Sequence, residues 1–404
     1  MVKKAILFII IAIIAAGSAL YFYGARVLQY SAESIIRKSL PDYTDVDEII
    51  FDVKGSKLVL KGFKIVNPAG FSYRYLIEIG QIVCRYRMKG KTIIEGIEVL
   101  EPEFLQPTVT IERLSDGRLN IVLMQDLLDK SQSIQSKREA SKNAEKAKRL
   151  LTGLLGSRRI SDLVKLPENF VLKNGRILFI DRLNASRPHM ITFDNVQARL
   201  SLKLDGQYSR VLDIGSSGEG NLNGNRDEVV NWVISYNPTT PKLTMSNRFT
   251  VSRLDILAFE PYYDKYSPFV FKKGRFSGLL IFDFDNGNIG SSNEIRISNF
   301  VFYIKSGYEN ASFWQTNVPE LARYLTTASG DIVFDFKIKG DISSPKFYLG
   351  PKTKEAIAAM TIDKIRDTIQ KMSDRSQPSA PGTSSNSEKI QGYINLFKEI
   401  AGKK

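Results

Sequence analysis

Along Asn195–Leu204 apolar and polar residues alternate almost without a break. Val196, Ala198, Leu200, Leu202 and Leu204 fall on one side, with Asn195, Gln197, Arg199, Ser201 and Lys203 on the other. Asp331–Lys339 repeats the pattern with Ile332, Phe334, Phe336 and Ile338. The run 276–285 brings Phe276, Leu280, Phe282 and Phe284 together. Successive side chains of a strand point to opposite faces, so a period of two predicts strands with one apolar and one wet face. Antiparallel sheets tolerate that arrangement and parallel ones rarely do. The pattern sets in at Glu48, and roughly fourteen segments fit it, which predicts a mainly β chain with a few helices. Asp285-Asn-Gly-Asn288 carries the Asn-Gly pair that most strongly signals a hairpin, and Asn221-Leu-Asn-Gly-Asn225 carries another.

Other stretches follow other rules. Ala5–Tyr23 has no charge, follows Lys3 and Lys4, and ends in Tyr21-Phe-Tyr23. As a helix it would be roughly 28 Å long, about one bilayer core. Leading lysines and a closing aromatic group predict a single-pass anchor, N-terminus inside, with the rest of the chain beyond the membrane. A cleaved signal peptide is the alternative, and Ala15-Ala-Gly-Ser-Ala19 could hold its cleavage site, but signal cores run about 7–15 residues. Residues 26–40 read as a short helix ending at Pro41, and the charge-rich part of 122–155 as a solvated helix or linker. A short helix is expected over 253–265 and an amphipathic one over 351–372. Ser373–Glu388 has a disordered composition. Lys389–Lys404 closes the chain with Ile390, Tyr393, Ile394, Phe397 and Ile400 on one stripe. The organisation expected is therefore an anchor (1–24), an N-terminal β region (25–130), a helical linker (131–160), a second β region (161–350) and a helical tail with its tether (351–404).

Charge and chemistry narrow the function. The net charge of +14 would suggest nucleic acid in a cytosolic protein. Behind an anchor it points instead to an anionic membrane, with no nucleic-acid partner expected. A solvated sheet face accounts for most of the basic residues, since they alternate with apolar ones. Cys84 is the only cysteine, which excludes an internal disulfide, and its strand setting suggests a buried small hydrophobe. His189 is the only histidine and follows Arg187-Pro188 in a polar stretch that reads as a loop. Zinc-ligand spacing is therefore absent. No Gly-x-Ser-x-Gly elbow, phosphate loop or dinucleotide fingerprint occurs. Asp283-Phe-Asp285-Asn-Gly-Asn288 begins like a calcium loop, but its glycine is one place early and no Glu follows at the required offset. No enzyme, metal or cofactor is expected.

An internal repeat is visible. Phe170-Val-Leu-Lys-Asn-Gly-Arg176 matches Phe269-Val-Phe-Lys-Lys-Gly-Arg275 around a Lys-x-Gly-Arg centre. Other motifs come in a telling order. A strand ends in Asn67-Pro-Ala-Gly-Phe71, paired strands follow, and Asp116-Gly-Arg-Leu-Asn120 precedes a helix. Later come Glu260-Pro-Tyr-Tyr263, a Gly-begun run of strands from Gly274, and Gly340-Asp-Ile-Ser-Ser-Pro345 before a helix. With the anchor, this succession resembles the AsmA-like family of bacterial envelope proteins over about two thirds of the chain. The resemblance implies a bent, mostly antiparallel β-sheet groove with an apolar inside. It also implies an inner-membrane address with the bulk of the chain in the periplasm, and phospholipid movement in outer-membrane biogenesis. The groove residues expected are Val196, Ala198, Leu200, Leu202, Leu204, Phe276, Leu280, Phe282, Phe284, Ile332, Phe334, Phe336 and Ile338, with Ala5 and Tyr23 bounding the anchor. Envelope proteins at the far end would be further partners. The residues alone leave another reading open, in which the same faces close into a sandwich core and the protein is a non-catalytic scaffold.

Overall fold

In the computed structural model of the chain, the described residues are 43–52, 55–89, 97–123, 164–165, 167–183, 188–205, 211–264, 268–308 and 323–374, with a few isolated positions besides. The anchor Ala5–Tyr23 and the helical linker 131–160 lie outside them, as do most of the helix 26–40, of the tether Ser373–Glu388 and of the terminal helix Lys389–Lys404. No helix among the described residues is long and apolar enough to cross a membrane. The chain divides into two compact units, 1–226 with 231–240 and 227–230 with 241–404. Both are built of long, mostly antiparallel strands.

The first unit holds β1 (Thr44–Asp45), β2 (Glu48–Asp52), β3 (Lys57–Val66), β4 (Tyr75–Met88), β5 (Ile97–Val99), β6 (Glu103–Arg113), β7 (Val164–Lys165), β8 (Asn169–Asp181), β9 (His189–Leu204) and β10 (Val211–Leu222), with most of β11 (Val229–Tyr236). The strand order is β1-β3-β4-β6-β8-β9-β10-β11, with β2 also on β3 and the short β5 and β7 to one side. The main exception to antiparallel pairing is β6 with β8, which is parallel. Parallel neighbours need a crossover of a dozen residues or more, and the long polar stretch between these strands supplies it. His189, expected in a loop, is instead the first residue of β9, opposite Asp181.

The second unit holds β12 (Met245–Asp255), a 3-10 turn (Ile256–Phe259), α1 (Glu260–Tyr263), β13 (Phe269–Asp285), β14 (Asn288–Ile304), the two-residue strands β15 (Ser312–Phe313) and β16 (Thr316–Asn317), β17 (Ile332–Asp341), β18 (Lys346–Leu349) and α2 (Pro351–Asp374). Its sheet runs β12-β13-β14-β17-β18, antiparallel throughout. Asn286 and Gly287 join β13 to β14 with φ of 47° and 85°, and Asn223 and Gly224 follow β10 with 48° and 74°. Both expected hairpin turns thus have the left-handed pair that matches strand twist.

Positive φ also occurs inside strands. Gln106, Asn174 and Asn195 each have φ of 54° on β6, β8 and β9, while Arg253 on β12 has 57° and Asn299 on β14 has 46°. At Asn174 and Asn195 the β8–β9 register shifts, and at Arg253 and Asn299 the β12–β13 and β13–β14 registers do likewise. These are β-bulges, where one extra residue bends the strand. In β9 the bulge passes the inward position from Ile191 and Phe193 to Val196, so the apolar face continues across it.

Candidate functional site

Residues directly opposite in an antiparallel ladder point to the same side. In the second unit Leu254, Phe276, Ile297 and Ile332 form one such row, and Phe249, Leu280, Asn293, Phe336 and Leu349 another. Val251, Gly278, Ile295 and Phe334 lie between them. The structure therefore brings Phe276, Leu280, Phe282, Phe284, Ile332, Phe334, Phe336 and Ile338 onto one face, and each is only half-buried. Phe334, Phe336 and Phe347 stack with ring centroids 5.2–6.2 Å apart, and Phe347 is 54% exposed. Phe269, Phe271, Phe300 and Phe302 extend the aromatic row past the bulges, with Phe269 and Phe302 edge-to-face at 4.7 Å.

Several of these residues escaped the sequence pattern. Ile295, Ile297, Phe300 and Phe302 share the face, but Ser291 and Asn293 break the apolar alternation before them and the Asn299 bulge shifts its phase. An uneven period with an asparagine at the slip was the available signal. The polar pair is buried and satisfied: Asn293 donates to Ser291 Oγ at 2.8 Å and accepts from Ile281 N at 3.1 Å. Asn247 is also buried on this face, and its Oδ1 has no partner.

The first unit treats its face differently. Val196, Ala198 and Leu202 are buried, whereas Leu200 and Leu204 are half-buried. Ile49, Leu60, Ile82, Phe104, Leu172, Ala198 and Gly218 form one continuous row across the strands. Phe170, Leu202 and Val211 make a tight cluster with Phe104, Leu200, Leu204 and Ile214 against it. The Trp232 ring closes over Gly218, where an added Cβ would lie 2.7 Å from the indole and 2.5 Å from Gln197 O. Trp232 Nε1 donates to Ser216 Oγ at 3.0 Å. Cys84 is buried in this unit, and burial pushes its thiol up to about 12. That excludes a thiolate at neutral pH.

Two polar clasps hold the sheets. The Asn-Pro-x-Gly-Phe and Asp-Gly-x-x-Asn motifs meet in the first: Asn120 Nδ2 donates to Asn67 Oδ1 at 3.1 Å and to Thr110 O at 2.8 Å. Asn120 Oδ1 accepts from the backbone of Glu112 and Ile121 at 3.0 and 2.9 Å. The Glu112 carboxylate, fully buried, takes Ser72 N, Ser72 Oγ and Arg182 Nε, each at 2.8 Å. Burial raises its pKa, but Arg182 and Ser72 outweigh burial and hold it below the usual carboxylate range. In the second unit Asp335 points away from Phe334 and Phe336, and its carboxylate accepts from Thr353 N and Oγ1, both at 2.7 Å, and from Lys352 N at 3.2 Å. A carboxylate at a helix N-terminus satisfies orphan N–H groups and meets the positive end of the dipole. α2 is thereby docked, with Thr353, Ile357, Met360 and Thr361 fully buried.

Among the described residues no cluster of three or more His, Cys, Asp or Glu could hold a metal ion. Asp283 and Asp285 are exposed, and Asp283 accepts from Ser246 Oγ at 2.6 Å. No family model, curated protein or solved structure matches the chain.

Proposed function

We propose that this is a membrane-anchored, non-catalytic envelope protein whose second unit binds phospholipid acyl chains along its apolar sheet face. The carrying observation is the half-exposure of the apolar residues that β13, β14 and β17 place on that face. Eight predicted residues from two strands, joined by Ile295 and Ile297 of the strand between, remain partly open to solvent where a closed core would bury them. Contiguous exposed apolar surface of this kind marks a binding site in soluble folds. Acyl chains cover such a face without directional chemistry, which fits its lack of charged groups. The bulged, bent strands suit a groove, and the inner-membrane address, the periplasmic bulk and a part in outer-membrane biogenesis follow from the anchor and the AsmA-like resemblance. The scaffold reading has one observation in its favour: the face of the first unit is packed shut by Phe170, Leu202, Val211 and Trp232. The two readings therefore divide by unit, the first building the frame and the second carrying the ligand. Native mass spectrometry of the full chain, purified without added lipid, tests this. Bound phospholipid lost on Phe334→Ser with Phe336→Ser supports it, and a lipid-free wild type overturns it.

A further inference from the structure

The internal repeat provides a built-in comparison. Lys173 and Asn174 of the first copy correspond to Lys272 and Lys273 of the second. The ladders extend the match: Val171 faces Arg199 as Val270 faces Tyr303, and Leu172 faces Ala198 as Phe271 faces Phe302. The bulge residues Asn195 and Asn299 fall at the same step. Gln197 and Arg199 are therefore equivalent to Val301 and Tyr303. Neighbours along a strand point to opposite sides, so these positions lie on the face away from Phe300 and Phe302.

In the first copy this surface is satisfied internally. Lys173 Nζ lies 3.3 Å from Glu103, Arg199 lies 3.4 Å from Glu101, and Gln197 donates to Asn174 at 2.8 Å. The second copy keeps the same strand pairing on either side of the bulge, differs in backbone at Lys273, which lacks the positive φ of Asn174, and has different chemistry. Val301 and Tyr303 are 41% and 51% exposed, and Tyr308 beyond them is 48% exposed. Lys272 Nζ sits 5.2 Å above the Tyr303 ring. Among the described residues neither Lys272 nor Lys273 has a carboxylate partner, whereas nearby Lys305 is paired with Asp264 at 2.8 Å.

We propose that this outer patch of the second copy docks on an anionic lipid bilayer. Tyrosine rings settle at the headgroup level of a membrane, and lysines beside them meet lipid phosphates. Lysine stems are long enough to keep their ammonium groups in that layer while Val301 and Tyr303 press against it. The charge is complementary because, among the described residues, no carboxylate is paired with Lys272 or Lys273. The proposal does not depend on acyl chains occupying the opposite face.

The test uses the full chain incorporated into phosphatidylcholine vesicles and measures capture of free fluorescent vesicles. Capture of phosphatidylglycerol-containing vesicles, and not of pure phosphatidylcholine ones, is expected, weakening as salt rises. Removing both charges with Lys272→Gln and Lys273→Gln should lower capture about thirtyfold, roughly fivefold per lysine. Val301→Ser with Tyr303→Ser should lower it several-fold at an unchanged melting temperature. Lys339→Gln with Lys346→Gln removes the same charge elsewhere in the unit and should change nothing. Undiminished capture by the Lys272/Lys273 variant, equal loss in the Lys339/Lys346 variant, or no capture by the wild type would each overturn the proposal. The last result would leave an acidic protein surface as the occupant of the patch.

Discussion

Placing a carboxylate on each apolar face separates a closed core from an open groove. Leu202 is 5% exposed and packed in the cluster with Phe170 and Val211, so Leu202→Glu puts an ionisable group where water does not reach. Full burial raises a carboxyl pKa by up to about 3–5 units, and each unit is about 1.4 kcal/mol at neutral pH. Losing the leucine's own packing adds about 2 kcal/mol or more. The expected loss is thus about 6 kcal/mol at pH 7, which corresponds to a fall of roughly 12–24 °C in melting temperature for a unit of this size. Because the folded pKa is raised, the penalty is paid above the unfolded value, near 4.3, and shrinks as pH falls toward it. The variant should therefore recover much of its stability at pH 5. Phe336 is half-buried, so the carboxylate of Phe336→Glu can turn to water at a cost of about 1–2 kcal/mol with little pH dependence. That variant should stay folded and lose its co-purifying phospholipid. The assay is thermal melting of the full chain at pH 7 and pH 5, with lipid extracted from the same samples and counted by mass spectrometry. Equal destabilisation by both substitutions would mean that the second unit is as closed as the first, and the groove reading would fail.

The clasp at Asn120 should be among the most sensitive polar sites in the chain. Asn120→Ala strands Asn67 Oδ1, Thr110 O and Glu112 N, and about 1–3 kcal/mol per buried group predicts a loss of several kcal/mol in denaturant melts; a change under 1 kcal/mol would refute the assignment. The depressed Glu112 pKa adds stability that is complete above the ordinary carboxylate range and lost as pH falls from that range down through the depressed value, so Glu112→Gln should flatten the acid side of the melting profile. Asp335→Ala should undock α2, seen as faster protease cleavage within 351–374 while the strands stay protected. Gly218→Val should destabilise the first unit by forcing Trp232 aside, read as a red-shifted tryptophan emission. A reporter fused after Lys404 should be active only outside the cytoplasm, and a soluble mature protein lacking residues 1–19 would argue for a signal peptide instead.

Much of the fold was legible in the sequence. The alternation at 195–204 and 331–339 gave β9 and β17, the Asn-Gly pairs gave their turns, and the periodicity of 351–372 gave α2 to within two residues of its end. Three things were not legible. The parallel neighbours β6 and β8 lie far apart in sequence, and no local pattern records who sits beside whom. Alternation reports that a face is apolar and says nothing of what covers it, so the buried Leu202 and the half-open Phe336 looked alike. The clasps were hidden for a third reason: Asn67 and Asn120 belong to two separate motifs, and only the folded chain makes them hydrogen-bond each other.

Each in-strand bulge behaves like a compensated frameshift. Read in steps of two, the inward frame of β9 begins on the odd positions at Ile191 and changes at Asn195 to the even ones. Deleting Asn195 would leave every side chain from Val196 to Leu204 intact yet turn each of them to the wrong side of the sheet. Length is therefore under tighter control than identity within these strands. An indel there is tolerable only when the neighbouring strand slips at the same level, as β8 does at Asn174. Among variants of this protein, strand lengths should change in adjacent pairs at the bulge rows, while the turns at Asn223 and Asn286 remain free to lengthen singly.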